Sequence, residues 1–344
     1  MMAYLLSRAR WLSVLFYCLF PLTLSAQAEL QMEHVSGNVW MLSGGGYANI
    51  SVLAGDRRAL IVDSKRPELA DAIRGMVREI SGGDVEYLIN GHVHPDHTDG
   101  NAGFGESGAV IIAHEEVRRV LMAGQRGGPP APEAAWPDIV LSDGSSMTLY
   151  FDGETVAIIH AQPAHSLGNL MVHYQQSNVI HLGDLYSPER YPVLAGGSIE
   201  GFVAGNEMAL ALADNNTQFI ASNGIVTGRA DVQAYIDMVK VVRDRVSQMI
   251  SRDMDLDAVL AANPTAEFDA TWGDPGRFLP GLYRELAGQK SLQRFYKEPS
   301  AVARSDCTLL FEIPFSFLET GAFIMILFTL GQNNLTFHQM TFPV

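Results

Sequence analysis

At 344 residues with 47% hydrophobic side chains, the chain carries enough apolar content for a substantial buried core, in one large domain or two small ones. Its 38 acidic against 23 basic side chains give a net charge of -15, and no run of Lys or Arg breaks the sequence, which argues against nucleic acid and anionic lipid as partners. The two cysteines, Cys18 and Cys307, both lie outside the central region, so a transition metal there must use histidine and carboxylate ligands.

In chain order, Arg8 and Arg10 precede an apolar stretch from Trp11 to Leu24 and the small-residue site Ala26-Gln27-Ala28, the features of a secretory leader. The stretch is shorter than the about 20 residues a spanning helix needs. Cleavage after Ala28 is therefore expected, giving an exported, periplasmic or extracellular protein with no stable membrane insertion. A full-length cytoplasmic product, read by intact mass after cell fractionation, would overturn this.

Strands follow at Asn38 to Leu42, Ala48 to Leu53 and Ala59 to Asp63, each bounded by Gly, Asp or Ser as in an antiparallel meander. Pro67 opens a helix to about Ile80, with Leu69, Ile73 and Val77 on one face and Gly82-Gly83 ending it. Tyr87-Leu88-Ile89 reads as a buried strand running into Gly91-His92, and Val110 to Ala113 as another. In the helix from Glu115 to Ala123, the cluster Glu115, Glu116, Arg118 and Arg119 reads as a solvated face. The loop from Gly124 to Asp138 is rich in Gly, Pro and Ala, and its Trp136 is a candidate border of a substrate site.

The second half repeats the style, with strands at Met147 to Phe151, Thr155 to His160, Leu170 to Tyr174 and Val179 to Leu182, a helix from Ile199 to Ala213, and a strand at Gln218 to Ala221. Val232, Tyr235, Ile236, Val239, Val242 and Val246 keep the helical period of a long amphipathic helix. Two β-rich halves, each followed by helices, predict two packed sheets covered outside by helices. From about Lys297 charge thins out; Glu312, Pro314 and Glu319 oppose a membrane span near the apolar run Phe323 to Leu330.

The chemistry concentrates in Asn90-Gly91-His92-Val93-His94-Pro95-Asp96-His97-Thr98-Asp99-Gly100-Asn101, which follows a buried strand. In an extended segment His92 and His94 point to one side and can grip one ion, while Asp96 and His97, beyond the turn, can face a second. Catalytic zinc commonly takes three protein ligands and keeps one position open. His165, in the turn Pro163-Ala164-His165-Ser166-Leu167-Gly168-Asn169, is the natural third. Asp184, after the apolar strand ending Leu182-Gly183, can bridge two ions through its two oxygens. His160 and His181, in apolar strands, read as core or supporting histidines, and His34, His114, His173 and His338 as structural or exposed.

This order, H-x-H-x-D-H at His92 to His97, an isolated turn histidine at His165 and Gly183-Asp184 after a strand, resembles the metallo-β-lactamase superfamily, and is most similar to its exported hydrolases. The resemblance runs from about Val39 to Tyr296. It implies an α+β fold, a four-layer αβ/βα sandwich with the metal site at one edge between the two sheets. It also makes Asp63 a structural aspartate behind the metal loops. Residues 1–28 are then the leader, 29–228 the metallo-hydrolase domain, 229–298 its helical continuation and 299–344 a tail without an assigned role.

One position departs from the family pattern: where relatives carry Pro-Gly-His-Gly, this chain reads Ala221-Ser222-Asn223-Gly224. An amide oxygen is a poorer zinc ligand than imidazole. One tight zinc on His92, His94 and His165 is thus expected, with a weaker second on Asp96, His97, Asp184 and Asn223. The ligands imply a hydrolase that turns metal-bound hydroxide on an acyl or related bond of a small molecule, β-lactams included, with Asp96 orienting the nucleophile and shuttling a proton. The alternatives are a thioesterase or lactonase with the same ligands, and a metal-binding protein without turnover.

Overall fold

The computed structural model describes residues 29–46, 48–297, 322–330 and 335–343. The expected leader with Cys18, and also Cys307, Glu312, Pro314 and Glu319, lie outside them. The chain divides into two compact units, one of residues up to 188 with 195–236, the other of residues 189–194 with those from 237 onward.

The first unit opens with β1 (Gln31–Ser36), β2 (Val39–Ser43), β3 (Ile50–Ala54) and β4 (Arg58–Val62), an antiparallel meander. β1 extends the expected three strands by one. Its polar, exposed sequence hid it, although Gly37-Asn38 between it and β2 is a two-residue hairpin signal. A 3₁₀ turn at Pro67–Leu69 leads into α1 (Ala70–Ser81), which Gly82 closes with a left-handed φ of 68°.

β5 (Asp84–Ile89) pairs parallel to β4. Two short helices, α2 (Pro95–Thr98) and α3 (Asn101–Gly105), fill the histidine-rich segment. β6 (Val110–His114), α4 (Glu115–Ala123) and β7 (Ile139–Leu141) complete a seven-stranded sheet in the order β1-β2-β3-β4-β5-β6-β7. β7 lies just past the expected loop; its sequence Ile139-Val140-Leu141 is strand-prone, but three residues are shorter than the about four to eight of a readable strand.

The second sheet contains β8 (Ser146–Phe151), β9 (Glu154–His160), β10 (Leu170–Tyr174), β11 (Val179–Gly183), β12 (Gln218–Ala221) and the two-residue β13 (Thr227–Gly228), in the order β13-β12-β11-β10-β9-β8. All its pairings are antiparallel except β11 with β12, which the crossover through α5 (Ile199–Leu212) makes parallel. One core joins the sheets: Val39, Leu60, Val62, Ile89 and Ile112 of the first meet Val156, Ile158, Val172, Tyr174 and Ile220 of the second. On its other face the first sheet packs Val52, Ile61 and Leu88 against Ile73 and Val77 of α1 and Phe104 of α3. This is the sandwich of mixed sheets and outer helices that the alternation of elements predicted.

α6 (Arg229–Ser251) carries the expected helical stripe and crosses from the first unit into the second. The second unit adds α7 (Leu256–Ala262), α8 (Asp269–Trp272) and α9 (Phe278–Lys297). There Tyr191 stacks on Phe278, centroids 5.4 Å apart, and its hydroxyl donates to Asp269 at 2.8 Å. The apolar run near the end forms β14 (Ala322–Leu330), paired antiparallel with β15 (Leu335–Pro343).

Candidate metal centre

The parallel strands β4 and β5 end side by side, and the chemistry begins where they stop. Asp63, one residue past β4, is fully buried and takes a left-handed φ of 74°. That turn aims its carboxylate across the end of β5, where one oxygen accepts from Gly91 N–H at 2.7 Å and the other from His97 Nδ1–H at 2.7 Å. The fit at Gly91 is close: a Cβ there would sit 3.3 Å from both carboxylate oxygens and press on them. With Nδ1 protonated toward Asp63, the neutral His97 ring keeps its lone pair on Nε2. That atom is buried, makes no hydrogen bond, and lies 3.6 Å from Asp96 and 3.6 Å from Asp184. Burial opposes a charged His97 ring, but the carboxylates of Asp63 and Asp184 outweigh it and raise its pKa well above the ordinary value. The metal-free ring therefore favours its cation, and the neutral form with the Nε2 lone pair is the one that an ion displacing that proton would select.

His92 and His94 leave the end of β5 on the same side, as the two-residue period requires. The second sheet supplies the rest: His165 from the β9–β10 turn and Asp184 from the end of β11. His94 Nδ1 is 2.8 Å from His92 Nε2 and 2.8 Å from His165 Nε2, and Asp184 approaches His165 Nε2 to 3.1 Å and His92 Nε2 to 3.7 Å. The three rings stand nearly edge-on to one another, at 80–89°, which lets their nitrogens converge. Burial, reinforced by the neighbouring histidines, pushes His92 well below the ordinary histidine pKa and His94 down to about 4. Both rings are neutral at pH 7, as metal ligation requires.

A polar lattice holds the histidine-rich segment from behind. Ser64 Oγ and Asn90 Nδ2 both donate to His97 O at 3.0 Å, and Asn90 and Asn101 exchange side-chain hydrogen bonds at 2.9 and 2.8 Å. Lys65, with no exposed surface, donates to Gly44 O and Ala48 O; burial lowers its pKa to about 8 against the pull of Asp63 and Asp96. These supports were missed in the sequence. Asn90 and Asn101, which bracket the motif, were the available signal, since a buried amide must find partners.

The structure thus gathers His92, His94, His165 and Asp184 into one group, with His97 and Asp96 beside it. Asn223 stands at the same sheet edge, two residues beyond Ala221, which pairs with Gly183. Its turn is strapped by Asn49, whose N–H donates to Ser222 O at 2.7 Å and whose amide donates to Ala221 O and Gly224 O. Trp136 is half-buried: its indole donates to Ala131 O, and it packs beside Val93, which lies between His92 and His94, and beside Val117 and Leu121. Glu116 also departs from the solvated face, because one of its carboxylate oxygens is buried.

The donor set fits zinc: three imidazoles and the Asp184 carboxylate meet at one point, and the orphaned Nε2 of His97 faces both Asp184 and a second carboxylate, Asp96.

The family profile of the metallo-β-lactamase superfamily matches residues 43–214. Over 160 residues the chain is 22% identical to the alpha subunit of 2,4-dinitroanisole O-demethylase from Nocardioides sp. (strain JS1661), covering 46% of this chain and 47% of that one. The chain therefore spans about half the length of this curated relative. Among solved structures, a metallo-β-lactamase from Pontibacter korlensis superposes with a TM-score of 0.53 at 13% identity, covering 62% of this chain and 99% of that one. The mono-zinc form of FIM-1 from Pseudomonas aeruginosa gives 0.53 at 17%, over 62% and 96%. The Hirschia baltica enzyme gives 0.52 at 18%, over 61% and 97%. With half of its length matched by the family profile and its two sheets arranged as in these structures, the chain belongs to the metallo-β-lactamase superfamily.

Proposed function

We propose that this protein is a zinc-dependent hydrolase acting on an acyl or related bond of a small molecule. The observation that carries the reading is the meeting of His92, His94 and His165 nitrogens at 2.8 Å contacts, with Asp184 against them. These residues would hold the first ion. His97, Asp96 and Asp184 would hold a second, with Asn223 a weak fourth donor. Zinc supplies Lewis acidity there, bringing the pKa of water from 15.7 towards about 7 and polarising an acyl oxygen.

The chain's own residues do the rest. Asp63 fixes the His97 ring so that Nε2 faces the site. Asp96 is the more exposed of the two carboxylates at the mouth, 43% against 21% for Asp184, and so is placed to receive a proton and pass it to solvent. Elemental analysis for zinc, with turnover of a chromogenic β-lactam, a lactone, a thioester and an aryl methyl ether, tests the reading. The ether is included because of the demethylase relative. Zinc bound with no turnover of any of the four would favour a metal-binding role instead.

The second site has its own test. Asn223→His replaces an amide with an imidazole and is expected to tighten the weaker zinc on the order of tenfold or more, about 1.4 kcal/mol. Titration of metal-free protein should show one tight and one weak zinc in the natural chain and two tight zincs in the variant. Two equally tight zincs in the natural chain would mean that another residue already supplies the ligand.

A further inference from the structure

Behind the His165 turn lies a second pair of histidines, outside the metal centre. His114 ends β6 and His160 ends β9; both are buried, and their rings stack with centroids 4.4 Å apart and 17° from parallel. Asp143 completes a trio of metal-capable groups, 3.1 Å from His114 Nε2 and 3.9 Å from His160 Nε2.

Proton positions argue against an ion there. Gly144 N–H donates to His160 Nδ1 at 2.8 Å, while His160 Nε2 lies 3.0 Å from Leu167 O, an atom that can only accept. The neutral ring must therefore carry its proton on Nε2, pointed at Leu167. His114 Nδ1 likewise accepts from Glu116 N–H at 3.3 Å, which leaves its proton on Nε2 facing Asp143. Both lone pairs are already in use. Ring geometry agrees, because near-parallel rings direct their nitrogens side by side, whereas the edge-on rings of the metal centre converge.

What this pair touches is the segment directly after His165. His160 holds the carbonyl of Leu167. The Gly168 N–H lies beside the Glu116 carboxylate and offsets part of the penalty that burial places on its charge. His114 lies so close to Gly168 that a Cβ there would come within 2.6 Å of its Nδ1. The turn is also tied within itself, Ser166 N–H donating to Asn169 Oδ1 at 2.7 Å. The Leu167 carbonyl is thus held, and the Gly168 backbone flanked, by side chains from β6, α4 and β9.

We propose that His114, His160 and Glu116 are positioning residues for His165: they set the turn that delivers its Nε2 to the metal centre without touching an ion themselves. This rests on the reading of His165 as a zinc ligand.

The test compares zinc affinities by competition with a chromogenic chelator. His160→Phe keeps the stacked ring but strips Leu167 O and Gly144 N–H of their partner. It is expected to weaken the tight zinc about 10- to 100-fold, the usual effect of losing a ligand's support, and to leave the weak zinc in place. His160→Gln restores both bonds, since its amide oxygen can accept from Gly144 and its N–H can donate to Leu167; it should stay within about threefold of the natural chain. Should His160→Phe fail to fold, Glu116→Ala removes one hold on Gly168 from the rim of α4, and is expected to weaken the tight zinc by about three- to tenfold.

Unchanged affinity in His160→Phe, or in Glu116→Ala if that variant has to stand in, would overturn the proposal. So would equal losses in the Phe and Gln variants, or a third zinc per chain that disappears with His160. His165→Ala separates the two layers. If it binds zinc like the natural chain, the ligand reading fails; if it loses zinc while His160→Phe does not, only the positioning role fails.

Discussion

His165→Ala is expected to lose its tight zinc and its turnover together, with His92→Ala behaving the same way. Each removes one of three imidazoles that meet within 2.8 Å contacts, and neither site offers a spare nitrogen: His97 is committed to the neighbouring position by Asp63. The drop in affinity should exceed the about 10- to 100-fold that follows from losing a mere supporting partner. Chelator-treated natural protein should match the variants, and adding zinc back should rescue only the natural chain. A variant that keeps full zinc and turnover would show that the three histidines are not the ligands.

The second large effect is expected at Asp63, where two substitutions should separate stability from metal binding. Asp63→Ala leaves Gly91 N–H and His97 Nδ1–H buried without an acceptor, and breaking a buried charged pair in this way costs about 3–5 kcal/mol. Asp63→Asn costs less, because its amide oxygen can still accept from Gly91. Its NH2 group must then face His97 Nδ1, which has to become an acceptor, and the imidazole proton moves to Nε2. That nitrogen faces Asp96 and Asp184 at 3.6 Å, so the second metal should be lost while the first remains. Urea unfolding and zinc stoichiometry measure the two effects; an Asn variant holding both zincs at natural affinity would refute the tautomer argument.

Much of this was legible in the sequence because chemistry with a short spacing writes itself locally. His92, His94, Asp96 and His97 fall within six positions after an apolar strand, and the two-residue period alone puts the first two on one side. His165 and Asp184 were found by their turn and strand-end contexts, and the sheets do bring them together with the first pair. What escaped was set by contacts far apart in the chain. Nothing near Glu116 announces that its carboxylate serves Gly168, and His114 looks like a surface residue until β6 and β9 lay it on His160. β1 escaped because it is an edge strand with little apolar pattern to read, and β7 because its three residues, although apolar, are too short a run to stand out from the loop before them. Asn223 could be placed only as far as its strand end: it follows Ala221, the register partner of Gly183, and no hydrogen bond among the described residues ties its amide to the cluster.

The four proposed ligands come from two sheets, His92 and His94 from the end of β5, His165 and Asp184 from the loops of β9–β10 and β11. An ion held by all of them is therefore also a cross-link, closing a chain segment that begins at His92 and ends at Asp184 much as a disulfide would. No cysteine lies in that segment, so a bound metal is the covalent-like tie available there. Free zinc at 100 times its dissociation constant would add about 2.7 kcal/mol to the folded state. In surroundings where zinc is scarce, this protein would lose durability along with its chemistry, and its lifetime would report the local supply of the metal.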